Sequence, residues 1–231
     1  MPNYVKNTTI ISPFDLIAPH SCRGCGSMGN ILCNRCKNHI LSVRVNLCPI
    51  CKTPNTNGIC HNHPQFPPCF IINERIDLID ILLHEFKYSS IRSLAKPLAE
   101  LLDETIPLFT GQTTIVPLPT ISKHIHQRGF DHTYLIAKKL AKIRGPCCQT
   151  SKLIIRQNNT VQVGATRNTR ISQAKKAYSL SKNAKINPGI TYVLFDDVWT
   201  TGASMQSAVS ILQKAGAQKI TIALIALSRI N

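Results

Sequence analysis

Two constellations in this sequence have the residue types and spacing to do chemistry. The first is a set of paired metal-ligand side chains: Cys22/Cys25, Cys33/Cys36, Cys48/Cys51 and Cys60/His63. A C-x-x-C turn sets two thiolates on one side of a knuckle, which suits two corners of a Zn²⁺ tetrahedron, and two knuckles close a site. Four pairs therefore fit two zinc ions. The simplest pairing is sequential, with Cys22, Cys25, Cys33 and Cys36 in one site and Cys48, Cys51, Cys60 and His63 in the other. A crossed pairing satisfies the same spacing, and His61 competes with His63 for the last place. Eight of the ten cysteines fall between Cys22 and Cys69; Cys147 and Cys148 are adjacent and badly placed to chelate one ion. Zinc also supplies folding energy that so small a module would not find in a core of its own. The competing reading is a redox or disulfide role for one pair, which an intracellular chain disfavours. Cys69 is expected to be a buried thiol outside both sites.

The second constellation is Tyr192 to Ser204, YVLFDDVWTTGAS. An apolar strand delivers Asp196 and Asp197 at its carboxyl end, a turn follows from Val198 to Gly202, and a helix opens at Ala203. Two adjacent carboxylates can accept hydrogen bonds from a vicinal diol. Thr200, Thr201 and Ser204 offer hydroxyls, the turn offers backbone N–H groups, and Gly202 lets a ligand approach the chain closely. A helix N-terminus favours a dianion. Together these features suit a ribose 5-phosphate, held where open α/β sheets bind ligands, beyond the strand C-termini. No G-x-x-x-x-G-K-[ST] or G-x-G-x-x-G fingerprint is present. The plainer reading is a helix cap, but a cap needs one acid rather than two.

The elements that must position these groups are legible in outline. A chain of 231 residues with 43% apolar side chains has length for one α/β domain and a small module. Residues 1–69 form the zinc module and a Pro-rich linker (PQFPPC), and residues 70–231 the larger domain. Helical spacing runs over 76–86 and from about 90 to 104, where Pro97 starts or kinks the helix, and again over 130–143 and 203–215. Strands are expected at 114–118, 152–156, 191–195 and 219–227, with a long polar, mobile loop plus a short strand over 157–189. Strands alternating with helices predict a parallel sheet covered on both faces. The longest strongly apolar stretch, Ile220 to Leu227 with Thr221 inside it, is eight residues, too short to span a bilayer. The N-terminus lacks an apolar signal core, so a cytoplasmic location is the default. The net charge of +16 is concentrated late in the chain: Lys123 to Lys185 holds fourteen Lys/Arg and a single acid, Asp131. Such a field attracts polyanions, including nucleic acid.

FDDVWTTGAS resembles the phosphoribosyl pyrophosphate (PRPP) motif of type I phosphoribosyltransferases. The rest resembles one branch of them, the ComF family of competence-associated proteins. The paired cysteines are similar to that family's zinc ribbon, and Phe86-Lys87-Tyr88 to its FKY/LKY element. Val116-Pro117-Leu118-Pro119 resembles its VP-x-P loop, and Arg128-Gly129-Phe130-Asp131 its RGFN element, with Asp for Asn. Gln162, Arg170, Ala177 and Tyr178 follow the spacing of its Q-R-AF segment. Departures are Ala165 for Leu, Gln173 for Asn and His63 for Cys. The likeness covers about residues 22–228 and implies a type I phosphoribosyltransferase-like parallel sheet with flanking helices, preceded by the zinc ribbon. By resemblance, Asp196 and Asp197 hold the ribose hydroxyls and are the catalytic pair if the chain is an enzyme. Thr200, Thr201, Gly202, Ala203 and Ser204 hold the 5-phosphate, and Pro117, Leu118 and Pro119 line the pyrophosphate loop. Lys87 and Arg128 meet pyrophosphate, and Mg²⁺ arrives with PRPP.

The family resemblance and the basic stretch together predict a cytoplasmic protein handling single-stranded DNA in natural transformation, with PRPP as ligand. Lys123, Arg128, Lys138, Lys139, Arg156, Arg167, Arg170, Lys175 and Lys176 are the candidate DNA contacts. Two alternatives stand beside it: an active transferase with an unassigned acceptor, and a zinc-dependent adaptor for a helicase-like partner with a vestigial phosphoribosyltransferase fold. Four residues after Leu227 leave no room for a C-terminal hood, so the zinc module and residues 70–110 are expected to cover the site. With only 6% aromatic residues and no base-stacking cluster, nucleobase salvage is not expected. His124, His126 and Arg128 are read as a solvated, phosphate-facing loop rather than a metal site. Trp199 either supports the turn or stacks on DNA.

Overall fold

The computed structural model describes residues 20–75, 77–157 and 177–228. In chain order the helices are α1 (Asn34–Ser42), α2 (Asp77–Tyr88), α3 (Ala95–Asp103), α4 (Ser122–Arg128), α5 (His132–Arg144) and α6 (Ala203–Lys214). The strands are β1 (Cys69–Glu74), β2 (Thr113–Pro117), β3 (Cys148–Thr150), β4 (Ile154–Arg156), β5 (Tyr178–Leu180), β6 (Thr191–Trp199) and β7 (Lys219–Leu227). Five strands form one sheet in the order β1-β7-β6-β2-β3. Every pairing in it is parallel. β4 and β5 pair antiparallel in a separate two-stranded sheet. The mostly parallel sheet with flanking helices is the architecture that the alternating pattern predicts.

The sheet is buried on both faces, and the period of two sorts its residues. Ile72, Ile115, Val193, Phe195, Ala223 and Ile225 face a layer of α2, α3 and α5. Ile71, Val116, Leu194, Ile222 and Leu224 face α6 and the β4–β5 pair. On α2 the buried residues are Ile79, Leu82, Leu83 and Phe86, a stripe at i, i+3, i+4 and i+7. The first cysteine knuckle belongs to the same core: Cys22, Ile31, Leu32, Cys36 and Ile40 are buried in one cluster with Leu82 and Leu98.

Several local elements add to, or differ from, those the residue spacing predicts. Residues 34–42 form a helix inside the Cys-rich region, which shows little apolar periodicity because only Cys36 and Ile40 are buried. The linker ends directly in a strand, β1, beginning at Cys69, and β3 adds a short edge strand at 148–150. The segment around His124 and His126 is the short helix α4 rather than a loop, closed by Gly129 in the left-handed conformation. Residues 92–94 form a 3₁₀ turn before α3, and Pro97 sits in the first turn of α3, where its missing N–H costs no helical hydrogen bond. β6 is longer than expected: it continues through both aspartates to Trp199, because β7 pairs with it as far as Trp199↔Leu227.

Candidate functional site

Topology places the site before any side chain is considered. From β2 the chain winds outward to β3; from β6 it winds the opposite way to β7. The reversal between adjacent β2 and β6 makes a crevice at their carboxyl ends, the usual ligand position in such sheets. β2 pairs with β6 only as far as Pro117↔Phe195. Leu118 donates its N–H to the Phe195 carbonyl at 2.8 Å, and then the strands part. Pro117-Leu118-Pro119 therefore lines one side of the crevice, and Asp196-Asp197 stands on the other.

Because successive side chains alternate across a strand, the two aspartates address different faces. Asp197 follows Val193 and Phe195 toward α2 and α5. It is buried, with 6% of its surface exposed. Its Oδ2 accepts a hydrogen bond from His132 Nε2 at 2.7 Å and pairs with the Lys87 ammonium. Burial opposes ionisation of Asp197, but the His132 hydrogen bond and the Lys87 charge outweigh it and hold the carboxyl well below its usual range. Asp196 is half-buried, and its Oδ1 accepts from the Asp197 N–H at 2.9 Å. Desolvation and the neighbouring Asp197 charge push its pKa up to about 8. The pair thus holds one firm negative charge and one readily protonated acid near neutral pH.

His132 is the residue the sequence does not announce. It lies on α5, 6% exposed, and its other nitrogen, Nδ1, is 3.0 Å from Arg128 Nη1. Thr120 Oγ1 is 3.3 Å from the same nitrogen. Thr133 anchors this corner by donating to the Leu118 carbonyl at 3.0 Å, and Asp131 caps α5 by accepting from Tyr134 N–H at 3.2 Å. A single histidine in an amphipathic helix gives no signal by itself. Only the packing of α5 against β6 shows that it meets a carboxylate.

The turn after β6 is built on a glycine. Gly202 has φ +75°, and a Cβ there would lie 2.1 Å from Trp199 Cζ2. The Trp199 ring is buried, 4% exposed, and meets Phe66 edge-on at 5.8 Å. Trp199 therefore supports the turn from beneath; it is not a free stacking surface. Thr200 and Thr201 are exposed, and Ser204 is the second residue of α6. Ser204 Oγ accepts from the Tyr178 hydroxyl at 3.2 Å, and that hydroxyl accepts from Arg156 Nη1 at 3.0 Å. A cation from β4 is in this way tied to the turn.

The structure thus brings together Lys87, Arg128, the Pro117–Pro119 segment, both aspartates and, through Tyr178, Arg156. Lys87 is engaged by Asp197 rather than free. Lys123, on α4, and Lys138 and Lys139, on α5, are exposed. Lys138 lies 5.9 Å from the Tyr134 ring. Arg167, Arg170, Lys175 and Lys176, with Gln162, Ala165 and Gln173, lie outside the described residues.

The cysteines gather in two groups with the sequential pairing. Cys22, Cys25, Cys33 and Cys36 form one, and Cys48, Cys51, Cys60 and His63 the other, with all donor atoms of a group within 4.8 Å of one another. Cys25 and Cys33 Sγ are 3.7 Å apart, and Cys51 and Cys60 Sγ 3.6 Å. Those separations far exceed a disulfide bond of about 2.05 Å. They match the edge of about 3.8 Å that Zn–S bonds of about 2.3 Å impose on a tetrahedron. His63, not His61, completes the second group, with Nδ1 at 3.6 Å from both Cys48 and Cys60 Sγ. Gly24 lets the first knuckle close, since a Cβ there would stand 2.6 Å from Cys36 Sγ. Hydrogen bonds from Ser27 hold the Cys25 thiol down to about 5, and those from Thr53 hold Cys51 to about 6, which favours thiolate ligands. The two groups fit two zinc ions.

No family model matches this chain. It is similar to the DNA utilization protein YhgH of Salmonella typhimurium, at 27% identity over 83% of this chain and 88% of that one. Competence protein F of Haemophilus influenzae is 25% identical over 84% and 89%, and competence protein ComFC of Bacillus subtilis 21% over 80% and 79%. Among solved structures, a hypoxanthine phosphoribosyltransferase of Staphylococcus aureus has a TM-score of 0.35 and 12% identity over 59% of this chain and 62% of that one, too little likeness to carry function.

Proposed function

We propose that this chain, a homologue of competence protein F, ComFC and YhgH, binds PRPP with Mg²⁺ at the β2–β6 crevice and handles single-stranded DNA over the adjoining basic surface. The observation that carries the reading is the crevice itself: two aspartates where β6 runs on past its pairing with β2, one fixed as an anion by Lys87 and His132, before a turn through Gly202 that opens a helix. In this reading Asp196 and Asp197 receive the ribose hydroxyls. The Thr200–Ser204 turn and the N-terminus of α6 receive the 5-phosphate. Arg156, linked to Ser204 through Tyr178, adds positive charge at that end, and Pro117-Leu118-Pro119 and Arg128 bound the pyrophosphate. Mg²⁺ would neutralise pyrophosphate charge. The chain's own contribution is to bind and orient the sugar and to keep Asp197 ionised.

The deciding experiment is a titration of Mg²⁺–PRPP read by the fluorescence of Trp199, the single tryptophan, which lies beneath the turn. A saturable change in the wild type that is lost in Asp196→Asn/Asp197→Asn is expected. Identical curves for the two proteins, or no response in the wild type, would overturn the ribose site. For DNA, filter binding of a single-stranded oligonucleotide should weaken by at least about tenfold between about 50 and 200 mM salt. Salt-independent binding contradicts the basic-surface reading. Release of pyrophosphate with any acceptor would assign catalysis as well as binding.

A further inference from the structure

Tyr88 has the only exposed aromatic ring of Phe, Tyr or Trp among the described residues, with 66% of its surface open. It ends α2, the helix whose core side is filled by Ile79, Leu82, Leu83 and Phe86, so the ring contributes nothing to that apolar stripe. Its neighbours are cationic and aromatic instead. The Arg128 guanidinium lies 5.7 Å from its centroid, and exposed His84, one turn back, lies at 5.0 Å with the rings tilted by 44°. The ring is also tied to the crevice by two routes. Lys87, the preceding residue, pairs with Asp197; Arg128 touches His132, which touches Asp197. The loop after α2 is fixed as well, because Ser90 Oγ donates to the Arg128 carbonyl at 3.4 Å and Arg92 Nη2 to the Gly129 carbonyl at 2.7 Å.

We infer that Tyr88, backed by Arg128 and His84, is a stacking platform for a base of single-stranded DNA at the rim of the carboxylate crevice. This inference rests on the DNA reading above and gives it an anchoring residue. Stacking on an aromatic face tolerates any base, and a neighbouring cation both polarises the stack and meets the phosphate. A tyrosine steadied by two neighbouring side chains is ordered in advance, so a base docking on it loses little further conformational freedom. Arg128 at the ring and Arg92 on the segment after α2 supply positive charge of the matching sign.

The test uses the full chain and a fluorescein-labelled oligothymidylate of about 20 nucleotides, longer than the roughly 4–16 that one such groove covers. Binding is followed by anisotropy. Tyr88→Ala should weaken binding by roughly 5- to 150-fold, the effect of removing one base-stacking ring. Tyr88→Phe, which keeps the ring, should stay within about twofold. Both variants should keep the wild-type Mg²⁺–PRPP titration. Wild-type affinity in Tyr88→Ala overturns this inference alone. Equal loss in Tyr88→Phe assigns the effect to the hydroxyl and overturns stacking, and a lost PRPP titration assigns Tyr88 a structural role and does the same. A wild type that binds PRPP but no oligonucleotide overturns the DNA reading and the platform with it.

Discussion

Replacing Lys87 by Met probes the electrostatics on which the crevice depends. The Lys87 side chain is 17% exposed and that of Asp197 only 8%, so their pairing takes place largely out of water. Met keeps the aliphatic stem and removes the charge. An uncompensated buried carboxylate costs about 3–5 kcal/mol. The His132 hydrogen bond at 2.7 Å remains, which argues for the low end, near 3 kcal/mol. For a chain of this size that is a fall in Tm of about 6–12 °C. Adding Asp197→Asn removes the stranded charge and should recover most of the loss, giving a strongly non-additive double-mutant cycle by chemical denaturation at pH 7. The pH dependence has a fixed sign. The folded pKa of Asp197 lies below its ordinary 3.8, so its contribution to stability is present above that value and is lost as pH falls through the folded pKa. The penalty in Lys87→Met is therefore largest at neutral pH and shrinks in acid, where the variant's carboxyl takes up a proton. A Lys87→Met protein within about 0.5 kcal/mol of wild type at pH 7, a surface-level effect, would refute this account of the site. So would a double variant less stable than Lys87→Met.

Other outcomes follow from the same geometry. Gly202→Ala forces a Cβ into the Trp199 ring at 2.1 Å from a backbone at φ +75°, so a loss of about 2–5 kcal/mol and a red-shifted Trp199 emission are expected; an unchanged spectrum would contradict the packing. Asp196, with its pKa raised to about 8 from 3.8, costs stability as it ionises with rising pH. Asp196→Asn should accordingly gain more over wild type at pH 9 than at pH 5, and melts showing the reverse would remove the raised pKa. Elemental analysis should find two zinc ions per chain. Cys36→Ser should lower global stability more than Cys51→Ser, because Cys36 is packed in the main core; equal unfolding midpoints would separate the first metal group from that core.

The features legible in the sequence are local. The zinc ligands were legible because a knuckle is a property of three or four consecutive residues, and the turn after β6 because Asp-Asp, Thr-Thr-Gly and the helix start are contiguous. Helices with a clear stripe, such as α2, were legible too. The region around α1 was not, since two buried residues in nine make no periodic signal. β1 was hidden at the end of a Pro-rich stretch, and its strand state depends on pairing with β7, far along the chain.

The amino-acid sequence by itself determined the metal donors, the alternating α/β pattern, the basic charge and the pair of acids before a glycine turn, all matters of composition and short-range spacing. It left the zinc pairing open, and gave no sign of His132. Tertiary structure decided that β6 runs on past both aspartates and so turns them to opposite faces. It decided that Lys87 and His132 meet the buried one, and that the first cysteine knuckle shares the main core. These are contacts between elements distant in sequence, fixed by the register of a parallel sheet and the helices laid on it, and nothing in the local run of residues encodes that register.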